Sequence, residues 1–165
     1  MPDFTIRRLT TTDHREFRTI RLEALRQAPD AFGSDYESEA AQPDDHFQMR
    51  LTNSTVLAAY VGSRIAGIAG FARHSSLREL HKAYLWGVYV RAEARGQGMG
   101  AALVGAILDQ AAEGVEQILL TVGSANKAAL TLYERLGFTA YGVEPRALKG
   151  SDGYLDEALM VKFLR

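Results

Sequence analysis

The sequence predicts an α/β (α+β) domain built on a mixed, mostly antiparallel sheet of about seven strands flanked by four helices, and three observations carry that reading. Val88-Tyr89-Val90-Arg91-Ala92-Glu93-Ala94-Arg95-Gly96-Gln97-Gly98-Met99-Gly100 runs from an apolar, β-compatible segment through a charged connection into closely spaced glycines that open a helix. Apolar runs at Lys82 to Val90 and Gln117 to Val122 enclose an Ala- and Leu-rich helical stretch, and strand, helix, strand in that order implies a parallel pair joined by a right-handed crossover. Short Gly- and Ser-containing connections at Gly62-Ser63 and Ser151-Asp152-Gly153 close antiparallel hairpins on either side of that unit.

Phe4 to Leu9 alternates apolar and polar residues, as a short strand does. Thr11-Thr12-Asp13 offers helix-cap chemistry, and Phe17, Ile20, Leu22, Leu25 and Ala28 recur at near-helical spacing up to Pro29. The segment Pro29 to Glu37, with its Pro, Gly and two Asp, is expected to be a loop. A second helix is expected from Pro43 to about Leu51, because Pro suits the first helical turn and two acidic residues follow it. These two helices and their loop would form a flap. Thr55 to Val61 and Arg64 to Arg73 pair as a hairpin, His74 to His81 is polar and irregular, and Lys82 to Val90 is the central strand. A helix runs from Gly98 to about Glu113 and stops at Gly114. Ile118, Leu119, Leu120 and Val122 describe a strand buried on both faces. Asn126 caps a further helix with Ala129, Leu132, Tyr133 and Leu136 on one face and Gly137 at its end. Phe138 to Lys149 and Tyr154 to Leu164 form a closing hairpin, polar for sheet strands from Glu144 to Lys149 and from Tyr154 to Glu157. That tail either lines an acceptor pocket or protects an edge with charge.

Length and composition bound the chemistry. A chain of 165 residues suits one domain over 1–165. A formal charge of −1 gives no whole-protein basic field, so neither nucleic acid nor an anionic membrane is an expected partner. Cysteine is absent, which removes disulfides, thiolate nucleophiles and Cys-based zinc sites, and no metal is expected. The stretch Met1 to Arg8 carries no apolar export segment, and no later apolar run approaches the roughly 20 residues of a membrane span. The expectation is a soluble, cytoplasmic protein.

The glycine stretch is an anion cradle in outline. Glycines at a strand end let several N–H groups point outward together, and the following helix adds the positive end of its dipole. Gly98 and Gly100 remove Cβ atoms that would hinder approach, and the amides from Gln97 to Ala101 can donate to phosphate oxygens. The plainer alternative is a tight turn before a helix. A dinucleotide fold is excluded because Gly96, Gly98 and Gly100 lack the G-x-G-x-x-G spacing, and a P-loop because no Gly-Lys-Ser/Thr follows.

Arg95-Gly96-Gln97-Gly98-Met99-Gly100 matches the pattern [Q/R]-x-x-G-x-[G/A], and Asn126 to Phe138 matches N-x-x-A-x-x-L-Y-x-x-L-G-F. With these two motifs together the chain resembles the GNAT family of N-acetyltransferases over nearly its whole length, most strongly from Tyr84 to Phe138. The resemblance implies acetyl-CoA as cosubstrate and a splayed pair of central parallel strands. It assigns Val88, Tyr89 and Val90 to the pantetheine arm, with Arg95, Gly96, Gln97, Gly98, Met99, Gly100 and Ala101 at the pyrophosphate. Tyr133 corresponds to the family's usual general acid, a phenol of reference pKa near 10 that can donate to the departing CoA thiolate. Asn126 would contact the cofactor, cap its helix, or do both.

The base is not assigned by the resemblance. The glutamate of histone-acetylating relatives would fall at Tyr84 and that of the ribosomal-protein N-terminal acetyltransferases at Thr121, and neither position is acidic. Glu79, His81 and Tyr84, just before or within the central strand, are candidates for a base or relay, each with a structural role as the alternative. Glu23, Phe32, Tyr36 and Glu37 belong to the presumed flap and are candidates for acceptor binding. The expected acceptor is the primary amine of a small molecule, attacked directly onto acetyl-CoA. A protein or peptide amine is the alternative, as is a non-catalytic acyl-CoA-binding regulatory domain. Homodimerisation is an expectation by analogy with the family.

Overall fold

A computed structural model describes residues 3–165, so the first two positions of the Met1 to Arg8 stretch lie outside the described residues. The N-terminal alternation forms β1 (Thr5–Arg8). Thr10 then opens the first helical turns, its N–H donating to Asp13 Oδ2 at 2.7 Å as one half of a capping box. The helix that follows, α1 (His14–Gln27), buries Phe17, Ile20, Ala24 and Leu25 along one face. Two more helices follow, α2 (Tyr36–Ala40) and α3 (Asp44–Asn53). The start of α2 falls inside the stretch expected to be loop, and Asp35 explains why: its carboxylate accepts the Ser38 N–H at 2.9 Å and seeds a turn. This short element is the one beyond the four helices expected.

The remaining elements are β2 (Thr55–Val61), β3 (Arg64–Arg73), β4 (Lys82–Val90), α4 (Met99–Ala111), β5 (Gln117–Gly123), α5 (Lys127–Arg135), β6 (Thr139–Gly150) and β7 (Gly153–Phe163). They form a seven-stranded sheet in the order β1-β2-β3-β4-β5-β7-β6, in which only β4 and β5 are parallel. Helices α4 and α5 cover one face, where Leu103, Val104, Ile107, Ile118, Phe138 and Met160 form one core. Helices α1 and α3 cover part of the other, where Phe17, Ile20, Phe47, Leu51 and Ile68 form a second. Among the described residues no helix is long and apolar enough to cross a membrane.

Two irregularities in β4 shape the candidate site. Its pairing with β5 runs only from Lys82↔Gln117 to Tyr84↔Leu119, after which β4 continues to Val90 and β5 to Gly123 without pairing to each other. The central strands therefore splay. On the other edge the ladder to β3 slips between Gly70↔Trp86 and Ile68↔Tyr89, which leaves Gly87 and Val88 facing Ala69 as a bulge. Gly87 sits at φ +67°, a left-handed conformation that favours glycine. The bulge resets the side-chain alternation, so Val88 and Val90 pack toward the α4 core whereas Trp86 and Tyr89 pack toward α1.

Candidate active site

The notch between β4 and β5 offers unpaired backbone. Arg91 N–H donates to Ala66 O at 2.8 Å across to β3, so the alternation of strand hydrogen bonding turns the N–H and C=O of Val90 toward the notch. Arg95 Nε donates to that Val90 carbonyl at 3.0 Å, which ties the cradle to the strand that precedes it. Val88 and Val90 line this edge as partly buried side chains, while Tyr89 points away. The Tyr89 hydroxyl donates to Glu23 Oε2 at 3.0 Å, and Arg91 Nε donates to the same oxygen at 3.1 Å. Glu23 is thus held in a clamp between α1 and β4.

The cradle follows directly. Gly96 and Gly98 both stand at φ +79°, and a Cβ built on either would meet nothing within 4 Å, so their outer faces are open. Gly98 is the N-cap of α4, and the first hydrogen bond of the helix is Ala102 N–H to Gly98 O at 3.0 Å. The amides of the first helical turn precede that bond and have no intrahelical acceptor. Exposed Gln97 and Gly98 and half-buried Gly100 and Ala101 surround them, while Met99 turns into the core. Gly100 differs from expectation in one respect. A Cβ there would lie 3.7 Å from Leu132 and 3.8 Å from Val90, ordinary contact, so its smallness is not what keeps the cradle open.

Tyr133 lies on α5, the helix that follows β5, buried, with its ring edge-on to Phe138 at a centroid distance of 5.8 Å. Its hydroxyl makes no side-chain hydrogen bond among the described residues. Burial pushes its pKa up to about 12, so it is a proton donor throughout the neutral range. Asn126 caps α5, its Oδ1 accepting the Ala129 N–H at 3.2 Å, beside the open end of β5.

On the opposite face of the sheet lies a cavity of about 640 Å³, a size suited to a small ligand. Tyr84 and Trp86 of β4, Thr121 of β5 and Glu157 of β7 contribute to it, and Phe32 and Arg50 reach it from the flap. The arrangement of its walls follows from cation packing. Arg21 forms a bidentate pair with Glu39, at 3.2 Å from Nε and 2.8 Å from Nη2, and also lies over the rings of Phe32 and Trp86 at 5.3 Å and 5.6 Å. Arg50 also lies over the Trp86 ring, at 4.1 Å, and sits 3.7 Å from Glu39. Burial alone would raise the Glu39 pKa, but Arg21 and Arg50 outweigh it and hold the carboxyl below its usual range. Glu157 behaves in the opposite way: burial and then the Glu144 carboxylate push its pKa up, against a pull from the Thr121 hydroxyl.

The other residues singled out in the sequence are dispersed. Tyr84 lines the cavity at the last position of β4 that pairs with β5, with its ring edge-on to His74. Glu79 and His81 lie at the closed end of the splay: Glu79 is bound by Lys82 at 3.3 Å, and the His81 carbonyl accepts the N–H groups of Glu116 and Gln117. Neither lines the cavity. Phe32 does, but Tyr36 and Glu37 line a second cavity on the far side of Phe32-Gly33-Ser34, shared with the tip of the β6–β7 hairpin. Arg50, Thr121 and Glu157 were not among the candidates. Only the polar tail around Glu157 signalled that its strand could face a pocket, since the β5–β7 register is invisible in sequence.

A sequence model of the Acetyltransferase (GNAT) family matches residues 17–138. The L-methionine sulfoximine/L-methionine sulfone acetyltransferase of Pseudomonas aeruginosa is 35% identical over 74 residues, which is 44% of this chain and 43% of that protein. An acetyltransferase of the GNAT family from Streptococcus pneumoniae superposes with a TM-score of 0.88 at 22% identity, covering 97% of this chain and 99% of that one. A phosphinothricin acetyltransferase from Sinorhizobium meliloti, solved in complex with AcCoA, superposes with a TM-score of 0.83 at 22% identity over 98% of this chain and 88% of that one. The matches to the first curated relatives span 34% and 43% of those proteins' own lengths.

Proposed function

Because the chain belongs to the GNAT family of acetyltransferases, we propose that it moves an acetyl group from acetyl-CoA to the primary amine of a small molecule by direct attack. The observation that carries this reading is the splay of β4 from β5, which leaves free backbone on the edge of β4 directly before the cradle, with Tyr133 on the helix that follows β5. The cradle fits a pyrophosphate, because its free amides converge where Gly96 and Gly98 leave open space. Bound acetyl-CoA would supply the activated acyl group.

The chain's own residues then divide the work. First-turn amides of α4 hold phosphate oxygens, and Val90 offers its N–H to the arm. The Tyr133 hydroxyl donates a proton toward the departing sulfur, which its raised pKa keeps available. Across the sheet the cavity receives the amine. Arg50 and Arg73 line it, so an amine that also carries an anionic group, such as an amino acid, is favoured over a polyamine. The amino-acid-derived substrate named for the Pseudomonas relative supports the same class.

The test is release of CoA thiol, followed with DTNB, over a panel of L-methionine sulfone, free amino acids, spermidine and an Ala-terminated peptide. Turnover is expected on the amino-acid-type amines and little on the peptide. CoA binding by calorimetry without turnover of any amine would instead favour a non-catalytic acyl-CoA-binding domain.

A further inference from the structure

Acyl transfer to an amine needs a proton acceptor, since a primary amine is largely ammonium at neutral pH and has no lone pair to use. The cavity narrows the choice. Among the described residues that line it, Glu157 is the one carboxylate. Arg21, Arg50 and Arg73 are cations and cannot accept, and His46, which also lines the cavity, has its Nε2 buried without a partner.

We propose that the Glu157 carboxylate, presented from β7 beside Thr121, binds the acceptor's ammonium group and takes its proton. Register explains the placement. Thr121↔Leu159 and Gly123↔Glu157 put Glu157 diagonally across from Thr121 on one sheet face, and Tyr84↔Leu119 puts Tyr84 on that same face one strand further. The three side chains step across β4, β5 and β7 along the floor of the cavity.

Pairing also sets Glu157 apart. Glu23, Glu39 and Glu79 each have an arginine or lysine partner, whereas Glu157 forms no ion pair among the described residues. Its directly opposed neighbour on β6 is another carboxylate, Glu144. Like charges opposite one another destabilise a sheet, and a cationic ligand between Glu157 and the cavity relieves that repulsion. The groups that face Glu157 are Glu144 from β6, Thr121 from β5, Tyr84 from β4, and, across the cavity, Arg21, Arg50 and His46 from the flap helices with Arg73 from β3. Burial and Glu144 raise the affinity of Glu157 for a proton, which suits a base.

The step balances. Glu157 gains one ammonium proton and passes it to water, and the freed nitrogen pair forms the N–C bond. As the C–S bond breaks, its electron pair leaves on sulfur, Tyr133 gives that sulfur a proton, and the nitrogen's second proton restores the phenol.

This assignment rests on the acetyltransferase reading, and the experiment separates the two. With L-methionine sulfone as amine, Glu157→Gln should lower kcat/KM roughly 100-fold at about pH 7, with acetyl-CoA affinity by calorimetry within about twofold of the parent. The deficit should shrink as rising pH deprotonates the amine in solution, and Glu157→Asp should recover part of the rate. A deficit under about threefold, or one constant with pH, overturns the proposal. If the parent protein binds acetyl-CoA yet acetylates no amine, the transfer reading fails, and carbon-detected NMR titration of the Glu157 carboxyl decides its role alone. A midpoint lowered by methylammonium chloride but not by sodium chloride supports ammonium binding. An unmoved midpoint overturns it.

Discussion

Burial raises the proton affinity of both Tyr133 and Glu39, and the arginines beside Glu39 reverse its direction. The Tyr133 phenol is pushed up to about 12 by burial, so it stays protonated while its ring packs on Phe138. Tyr133→Phe keeps that packing and removes only the donor. It should cost roughly 100-fold in kcat with acetyl-CoA affinity and thermal stability nearly unchanged, as paired calorimetry and steady-state rates would show. Glu39 is buried against Arg21 and its pKa is lowered, so its contribution to stability is present above the ordinary carboxyl range and is lost as pH falls through the lower folded value. Glu39→Gln should cost about 3 kcal/mol at neutral pH, because it leaves Arg21 uncompensated. Thermal unfolding scans between about pH 3 and 7 should show the parent losing Tm on acidification more steeply than the variant. At this scale the sequence is uneven. Tyr133 and Asn126 stand out as candidates because a single contiguous motif carries both. Glu157 is not, since its meaning depends on which residue of β5 it lies beside.

The loop from Arg95 to Gly100 and the helix it opens can be separated by glycine. Gly98 needs its left-handed φ and faces open space, so a side chain there both strains the backbone and covers the amides. Gly98→Val should weaken acetyl-CoA binding at least about tenfold by calorimetry, with the circular dichroism spectrum retained. Gly100 is helical and has room for a Cβ in ordinary contact with Leu132 and Val90. Gly100→Ala should therefore bind acetyl-CoA within about threefold of the parent, and a loss equal to that of Gly98→Val would show the two glycines to be equivalent after all. Strand and helix bounds from Lys82 to Phe138 are close to those read from periodicity, because long apolar runs with glycine stops leave little freedom. The bulge at Gly87 was not legible: it lies inside a continuous apolar run, and only the ladder to β3 exposes the slip. The turn at Tyr36–Ala40 was missed because one side-chain cap, Asp35, creates it.

Across the whole molecule, the proposed reaction would use the two faces of the splayed sheet differently, one for the cofactor and the other for the acceptor. Helices α4 and α5 back the former, and the flap with the β6–β7 hairpin walls the latter. The fold class follows from element order alone, since a parallel pair between two antiparallel arms requires the crossover through α4. Acceptor chemistry does not, because Arg21 and Arg50 converge on Trp86 only after α1 and α3 pack together. That convergence makes the chain's single tryptophan a reporter. An anionic amine entering beside Arg50 should change Trp86 fluorescence, and Arg50→Ala should abolish the change while leaving the acetyl-CoA-induced rise in Tm, worth about 2.7 kcal/mol at a hundredfold excess over Kd. The most direct test of the account is a crystal structure with CoA bound. It should place the pyrophosphate on the first turn of α4 and the sulfur within hydrogen-bonding reach of the Tyr133 hydroxyl, opening toward the cavity that holds Glu157. A sulfur that lies away from Tyr133, or a notch closed to the cofactor, would contradict it.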